Sequence, residues 1–301
     1  MHQIKKSIKR ITPEKIWTKL FSIRRFVVRI LRRDNLTRIK NNPFYYLATP
    51  YRTVTAKNRA LPDFLIIGTQ KGGTVSLHRL LAQHPQMHMA KVEAHYFDIE
   101  SNYKKGELWY RSHFPFRSKI APDDLVGERT PDYLFFPNAA KRIQKDLPNI
   151  KLICLLRNPT ERAISNYFMA VRGGRESLPI MEALTTEEER YGSSGYGHRS
   201  YKRRGLYLEQ LKRYEGYSLK NQLLILSSEE FFTNPQKTLK QVFRFLGVGE
   251  TFECSNLSPR NVGKNKTPIT KEVYEYLNKY FKPYNRRLYN YLNRDFGCNP
   301  F

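Results

Sequence analysis

The run Pro62-Asp63-Phe64-Leu65-Ile66-Ile67-Gly68-Thr69-Gln70-Lys71-Gly72-Gly73-Thr74-Val75-Ser76-Leu77 constrains this chain more than any other stretch. An apolar segment bounded by Pro and Gly predicts a buried strand, the glycines predict a tight turn, and Leu77, Leu80 and Leu81 predict the inward face of a helix. Strand, glycine-rich loop and helix in this order form a phosphate cradle: backbone N–H groups converge on an anion and the helix N-terminus adds partial positive charge. Lys71 and Thr74 add a cation and a hydroxyl. The other reading is a tight strand-to-helix turn whose glycines serve packing alone; the Lys and Thr placed within it favour anion binding.

The loop is not that of an ordinary ATPase. A Walker A loop sets its lysine immediately before the Ser/Thr, whereas here Gly73 holds that position and the lysine comes earlier, at Lys71. A later apolar run, Leu152 to Leu156, is followed by Arg157, where a nucleotide triphosphatase often has a magnesium-holding Asp. A cation there meets phosphate directly, so no metal is expected.

Further strand-like runs fall at Ile150–Leu156, Leu223–Leu226 and, shorter, Leu125–Gly127, with helical patterns between them. That alternation predicts an α/β, three-layer fold with a central parallel sheet flanked by helices. The clearest helix is Pro235–Leu246, capped by Asn234, striped by Leu239, Val242, Phe243 and Leu246 and ended by Gly247. Another is expected to start at Pro159. No internal repeat is present.

Charge divides the chain. The 301 residues carry a formal net charge of +26, and residues 1 to 60 hold 16 basic residues against 2 acidic ones. Such an excess implies an anionic partner without choosing between nucleotide, acidic polysaccharide, membrane surface and nucleic acid. Residues 1–60 are therefore read as a basic extension and 61–301 as the catalytic domain. Within the extension, Ile16, Leu20, Ile23, Val27 and Ile30 recur at helical spacing among basic residues, a basic amphipathic helix over 14–33. It suits either an anionic membrane surface or docking on the protein's own domain. The segment 41–62, with its prolines, reads as a linker or strap.

The longest apolar run near the N-terminus, Phe26–Leu31, is interrupted by Arg29 and is too short to span a bilayer. A cytoplasmic location is expected, at the inner membrane face if the helix binds lipid. The three cysteines, Cys154, Cys254 and Cys298, contain no CxxC pair, so neither a disulfide framework nor a zinc site is expected, and Cys154 reads as a buried thiol.

Four blocks in order carry a resemblance: Gly68-Thr69-Gln70-Lys71-Gly72-Gly73-Thr74; Val92-Glu93-Ala94-His95-Tyr96-Phe97-Asp98; Glu128-Arg129-Thr130-Pro131-Asp132-Tyr133; and Leu156-Arg157-Asn158-Pro159-Thr160-Glu161-Arg162-Ala163-Ile164-Ser165-Asn166-Tyr167. Together they resemble the sulfotransferases that use PAPS (phosphoadenosine phosphosulfate), most closely the heparan sulfate glucosaminyl 3-O-sulfotransferases and the sulfotransferase domain of the N-deacetylase/N-sulfotransferases. The likeness spans about 62–248 and continues weakly to about 269. It implies the P-loop-containing, nucleotide-kinase-like fold, PAPS as donor with PAP as product, and a carbohydrate acceptor, anionic or polymeric.

Residue by residue, the resemblance implies donor binding by Gln70, Lys71, Gly72, Gly73, Thr74, Val75 and Ser76, and a grip on the ribose phosphate by Arg157 and Ser165. It implies Glu93 as general base, with His95 and Asp98 beside it, and Lys71 stabilising charge. Relatives carry Lys where this chain has Arg129, which keeps the cation but changes its reach, so Arg129 is expected to position acceptor or sulfuryl group. Lys264 and Lys266 fall where the family has a basic loop closing on the nucleotide, though the pattern here departs from the usual Lys-Gly-Arg. The loop Gly192–Arg204 matches a region that nears nucleotide and acceptor in relatives, its basic residues suited to an acidic glycan. A glycolipid or protein-tyrosine acceptor stays open within the family. Outside it stands a basic nucleic-acid-binding protein, for which no recognised motif appears.

Overall fold

The computed structural model describes residues 48–191, 197, 199–218, 221–258 and 268–293. The chain divides into two units, 1–54 and 55–301; of the first, a short helix, Thr49–Val54, is described. The expected amphipathic helix over 14–33, Lys264, Lys266 and Cys298 lie outside the described residues.

The second unit is built on five parallel strands: β1 (Phe64–Gly68), β2 (Met87–Met89), β3 (Leu125–Arg129), β4 (Lys151–Leu156) and β5 (Leu223–Ser227). Their order is β2-β3-β1-β4-β5. Because side chains alternate along a strand, each strand feeds two cores. On one face Leu65, Ile67, Leu152, Cys154 and Leu156 pack with Ala139, Ala140 and Ile143 of helix α2 (Pro137–Asp146). On the other, Phe64, Ile66, Ile153 and Leu155 pack with Leu77, Leu80 and Leu81 of α1 (Thr74–Leu81). Both faces are covered, which is why the strands read as continuous apolar runs. The three-layer α/β architecture expected from the sequence is thus the one observed.

Other expected elements appear close to their sequence bounds. Helix α3 runs Pro159–Arg172, its start fixed by Asn158, whose side chain accepts from the backbone of Thr160 and Glu161. β5 leads into α4 (Ser228–Thr233) and α5 (Pro235–Leu246), the latter capped by Asn234 and ended by Gly247 in the left-handed region. Cys154 and Cys254 are buried free thiols.

Several described elements have no counterpart among the sequence expectations, β2 and a long helix foremost. β2 has three residues, too few to establish a period. The 22-residue α6, Lys271–Leu292, buries Val273, Leu277, Phe281 and Leu288 despite Pro283 inside it. Val273, Leu277 and Phe281 pack with Ala163, Ile164 and Tyr167 of α3, bracing the helix that follows Arg157, while Leu288 joins the core on the β1 face that holds Leu65 and Ile67.

Candidate active site

Parallel register brings the C-terminal ends of four strands together, the usual place for ligands in such sheets. Ile66 pairs with Arg129, Gly68 with Cys154 and Leu156 with Ser227. The glycine-rich loop after β1, Arg129 at the end of β3, Arg157 after β4 and Ser228 after β5 therefore share one rim.

The loop is tightly specified. Thr69 N–H donates to the Leu155 carbonyl at 2.8 Å, and Gly72 N–H to that of Thr69 at 2.9 Å. Arg157 Nη1 donates to the Lys71 carbonyl at 3.0 Å, and Ser228 Oγ to that of Gly72 at 2.7 Å. With both carbonyls held from neighbouring strands, the loop's peptide planes are fixed. Gly73 caps α1 at φ +93°, where a Cβ would also lie 2.7 Å from Cζ of Phe232. Having no side chain, Gly73 leaves the first-turn amides of α1 uncapped, as an anion requires.

The positive charge gathers here. Burial and then the charges of Arg172, Arg157 and Arg162 push the Lys71 ammonium below its usual value. Arg162 is wholly buried, and burial lowers it to about 10; it donates to Asn166 Oδ1 and to the Tyr201 carbonyl. Thr74 and Ser76 are buried, and Val75 is half-buried, in the first turn of α1. Gln70 is half-buried, its Oε1 shielded and without a partner among the described residues. Ser165 sits half-buried two turns into α3, the helix that Arg157 precedes.

A second cluster carries the expected base. Glu93 Oε1 accepts from Arg129 Nη1, and its Oε2 lies 3.2 Å from His95 Nε2. His95 Nδ1 meets Asp98 Oδ2 at 2.8 Å, and Asp132 pairs with buried Arg204 at 2.6 Å. Burial alone would raise the Glu93 carboxyl; the His95 hydrogen bond and the Arg129 charge outweigh it, leaving the carboxyl below its usual range. Burial would likewise lower His95, but Asp98 and Glu93 push it up to about 10. His95, Asp98 and Asp132 bring one nitrogen or oxygen each within 4.8 Å of one another; protonated, the imidazolium is the cation of that group. The Glu93 side chain is one third exposed.

Some residues behave differently from expectation. Lys202 and Arg204 of the basic loop are turned inward, Lys202 paired with Glu188 at 2.8 Å and Arg204 with Asp132, so these two cations hold the fold rather than a glycan. Arg129 Nη1 is engaged by Glu93. His78 went unnoticed: one turn beyond Thr74 on α1, its Nε2 lies 2.9 Å from the Ala90 carbonyl, and burial and then the Arg129 charge lower it. Its position at i+4 from Thr74 was the available signal. It links the phosphate-loop helix to the segment that carries Glu93.

Residues 61–285 match the model of the sulfotransferase domain family. A heparan sulfate glucosamine 3-O-sulfotransferase 3B1 of Mus musculus is 32% identical over 80% of this chain and 66% of its own length. A membrane-associated sulfotransferase, kil1, of Dictyostelium discoideum is 29% identical over 81% of this chain and 68% of its own. The chain thus spans about two thirds of the length of these relatives. A sulfotransferase structure from Alicyclobacillus acidocaldarius superposes with a TM-score of 0.67 at 31% identity, covering 78% of this chain and 97% of that one. With the phosphate loop, the cation cluster and the family model falling on the same domain, this chain belongs to the sulfotransferase family.

Proposed function

We propose that this protein transfers the sulfuryl group of PAPS to a hydroxyl or amine of a carbohydrate acceptor, polymeric or anionic, with Glu93 as general base. The observation that carries the reading is the state of Glu93: an accessible carboxylate kept ionised by His95 and Arg129, at the rim that holds the phosphate loop. In the step, the acceptor oxygen or nitrogen bonds to sulfur while Glu93 takes its proton. The bond between sulfur and the bridging oxygen breaks, and the electron pair stays on the phosphate of PAP. Lys71 offsets that developing charge, and alignment of acceptor, sulfur and leaving oxygen supplies the remainder. In this reading Arg157 and Ser165 hold the ribose phosphate. The relatives named for heparan sulfate glucosamine support a sugar acceptor.

One observation favours a second reading of where the protein works. The Dictyostelium relative is called membrane-associated, and the basic amphipathic pattern of residues 14–33 suits contact with an anionic lipid surface. No helix among the described residues is long and apolar enough to cross a membrane. A peripheral enzyme acting on a glycolipid is the corresponding variant.

The test incubates the full chain with radiolabelled PAPS and a panel of polysaccharides, glycolipids and tyrosine peptides. Label in a polysaccharide supports the proposal; label confined to glycolipid or peptide replaces the acceptor. Glu93→Gln is expected to abolish transfer while PAP still binds, and unchanged turnover removes Glu93 as base.

A further inference from the structure

Behind the segment that carries Glu93 lies a carboxylate with no direct ionic partner among the described salt bridges. Glu128, on β3, is wholly buried. It accepts three hydroxyl hydrogens: Tyr110 Oη at 2.5 Å on Oε2, and Thr130 Oγ1 at 2.6 Å and Tyr133 Oη at 2.9 Å, both on Oε1. Burial holds its carboxyl above the usual carboxylate range, although the three hydroxyls and the His95 charge pull the other way.

Two of those hydroxyls have a second task. Tyr96 N–H donates to Tyr133 Oη at 3.1 Å, and His95 N–H lies a longer 3.4 Å from Thr130 Oγ1. A hydroxyl has one hydrogen to give. With that hydrogen committed to Glu128, each oxygen presents only lone pairs to the backbone. The polarity of the network is therefore set at one end by a carboxylate and read at the other by the backbone amides of residues 95 and 96. The ring of Tyr110 completes the support, stacked on Tyr96 at 4.5 Å and 12°.

We propose that Glu128 is a positioning residue for the sulfuryl-transfer reaction, acting through the hydroxyls of Thr130 and Tyr133 to fix the backbone at His95 and Tyr96 and so the place of Glu93. The inference rests on Glu93 being the base. Losing either hydroxyl frees one amide of the segment, and small displacements of a reacting group are costly in rate. A protonated or apolar residue at 128 would let a hydroxyl turn its hydrogen toward an amide, two donors facing each other.

The experiment uses the full chain and compares Thr130→Val, Thr130→Ser and Tyr133→Phe with wild type and with Glu93→Gln. Val keeps the shape of Thr and removes the hydroxyl; Ser does the reverse. Expected are a kcat lower by about 10- to 100-fold in Thr130→Val and Tyr133→Phe, donor and acceptor KM and PAP affinity unchanged, and kcat restored in Thr130→Ser. Thr130→Val with wild-type kcat, or Thr130→Ser as slow as Thr130→Val, overturns the relay, the second result marking a packing role. If Glu93→Gln itself turns over normally, the base assignment falls and the relay toward it falls too; an inactive Glu93→Gln beside fully active hydroxyl variants sinks the relay alone.

Discussion

Arg157 Nη1 donates to the backbone carbonyl of Lys71 at 3.0 Å, joining residues 86 positions apart on the loops that follow the adjacent strands β4 and β1. The contact uses one of five guanidinium donors and leaves others for a phosphate. Arg157→Lys keeps the charge but cannot hold the loop carbonyl and a phosphate at once with the same planar geometry. PAP affinity is expected to fall about 10- to 100-fold, in keeping with about 1.5–3 kcal/mol for a hydrogen bond to a charged group. Calorimetric titration of PAP measures it, and unchanged affinity would remove Arg157 from the site.

Lys71 is displaced below its ordinary value by burial and by three neighbouring arginines. An anion entering the loop neutralises that crowding and moves the ammonium back up. Between the lowered and the restored value, binding must take up a proton. PAP titrated at alkaline pH in buffers of different ionisation enthalpy is expected to show uptake, and Lys71→Arg to show none. Equal heats in all buffers for the wild-type protein would contradict the placement of Lys71 beside the phosphates.

Much of this was readable from local pattern. Continuous apolar runs located β1, β4 and β5, and Asn234 and Gly247 located both ends of α5, because strand burial and capping are short-range effects. The glycine-rich loop after β1 was readable for the same reason, lying in one contiguous block. The contact of Arg129 with Glu93 was not: the two are 36 positions apart, and the pairing of β2 with β3, Met89 opposite Gly127, brings them together. Lys202 and Arg204 misled because basic residues in a Gly- and Ser-rich stretch look solvent-facing, whereas their partners Glu188 and Asp132 draw both inward. His78 was passed over because a histidine on an amphipathic helix carries no sequence mark of the carbonyl it meets.

His95 links stability to pH. Its folded value is raised to about 10 from 6.5, so the protonated form is favoured by folding. The sign follows directly: its contribution is fully present below pH 6.5 and is lost as pH rises through about 10. Glu93, held below 4.5, acts oppositely, its share present above that value and lost in acid. The midpoint of urea unfolding is therefore expected to decline from pH 6.5 to pH 10 in the wild-type protein, and to decline less in His95→Gln. Parallel profiles for the two would show that the imidazolium contributes nothing.

Gly73 supplies the sharpest test of the loop itself, because two separable effects act there. Its φ of +93° costs a residue with a Cβ about 1–2 kcal/mol, and the new Cβ would stand 2.7 Å from Cζ of Phe232. The second effect depends on a ring that is 37% exposed and able to move, whereas the first is fixed by the backbone. Gly73→Ala is expected to lower Tm by about 2–8 °C, at about 2–4 °C per kcal/mol for a chain of this size, and to weaken PAP binding. Adding Phe232→Ala removes the contact and leaves the backbone cost, so the double variant should recover part of the Tm but not the binding. Full recovery of both would assign the glycine to ring packing, and a Gly73→Ala protein with wild-type Tm and PAP affinity would mean that the left-handed turn is not what shapes the anion site.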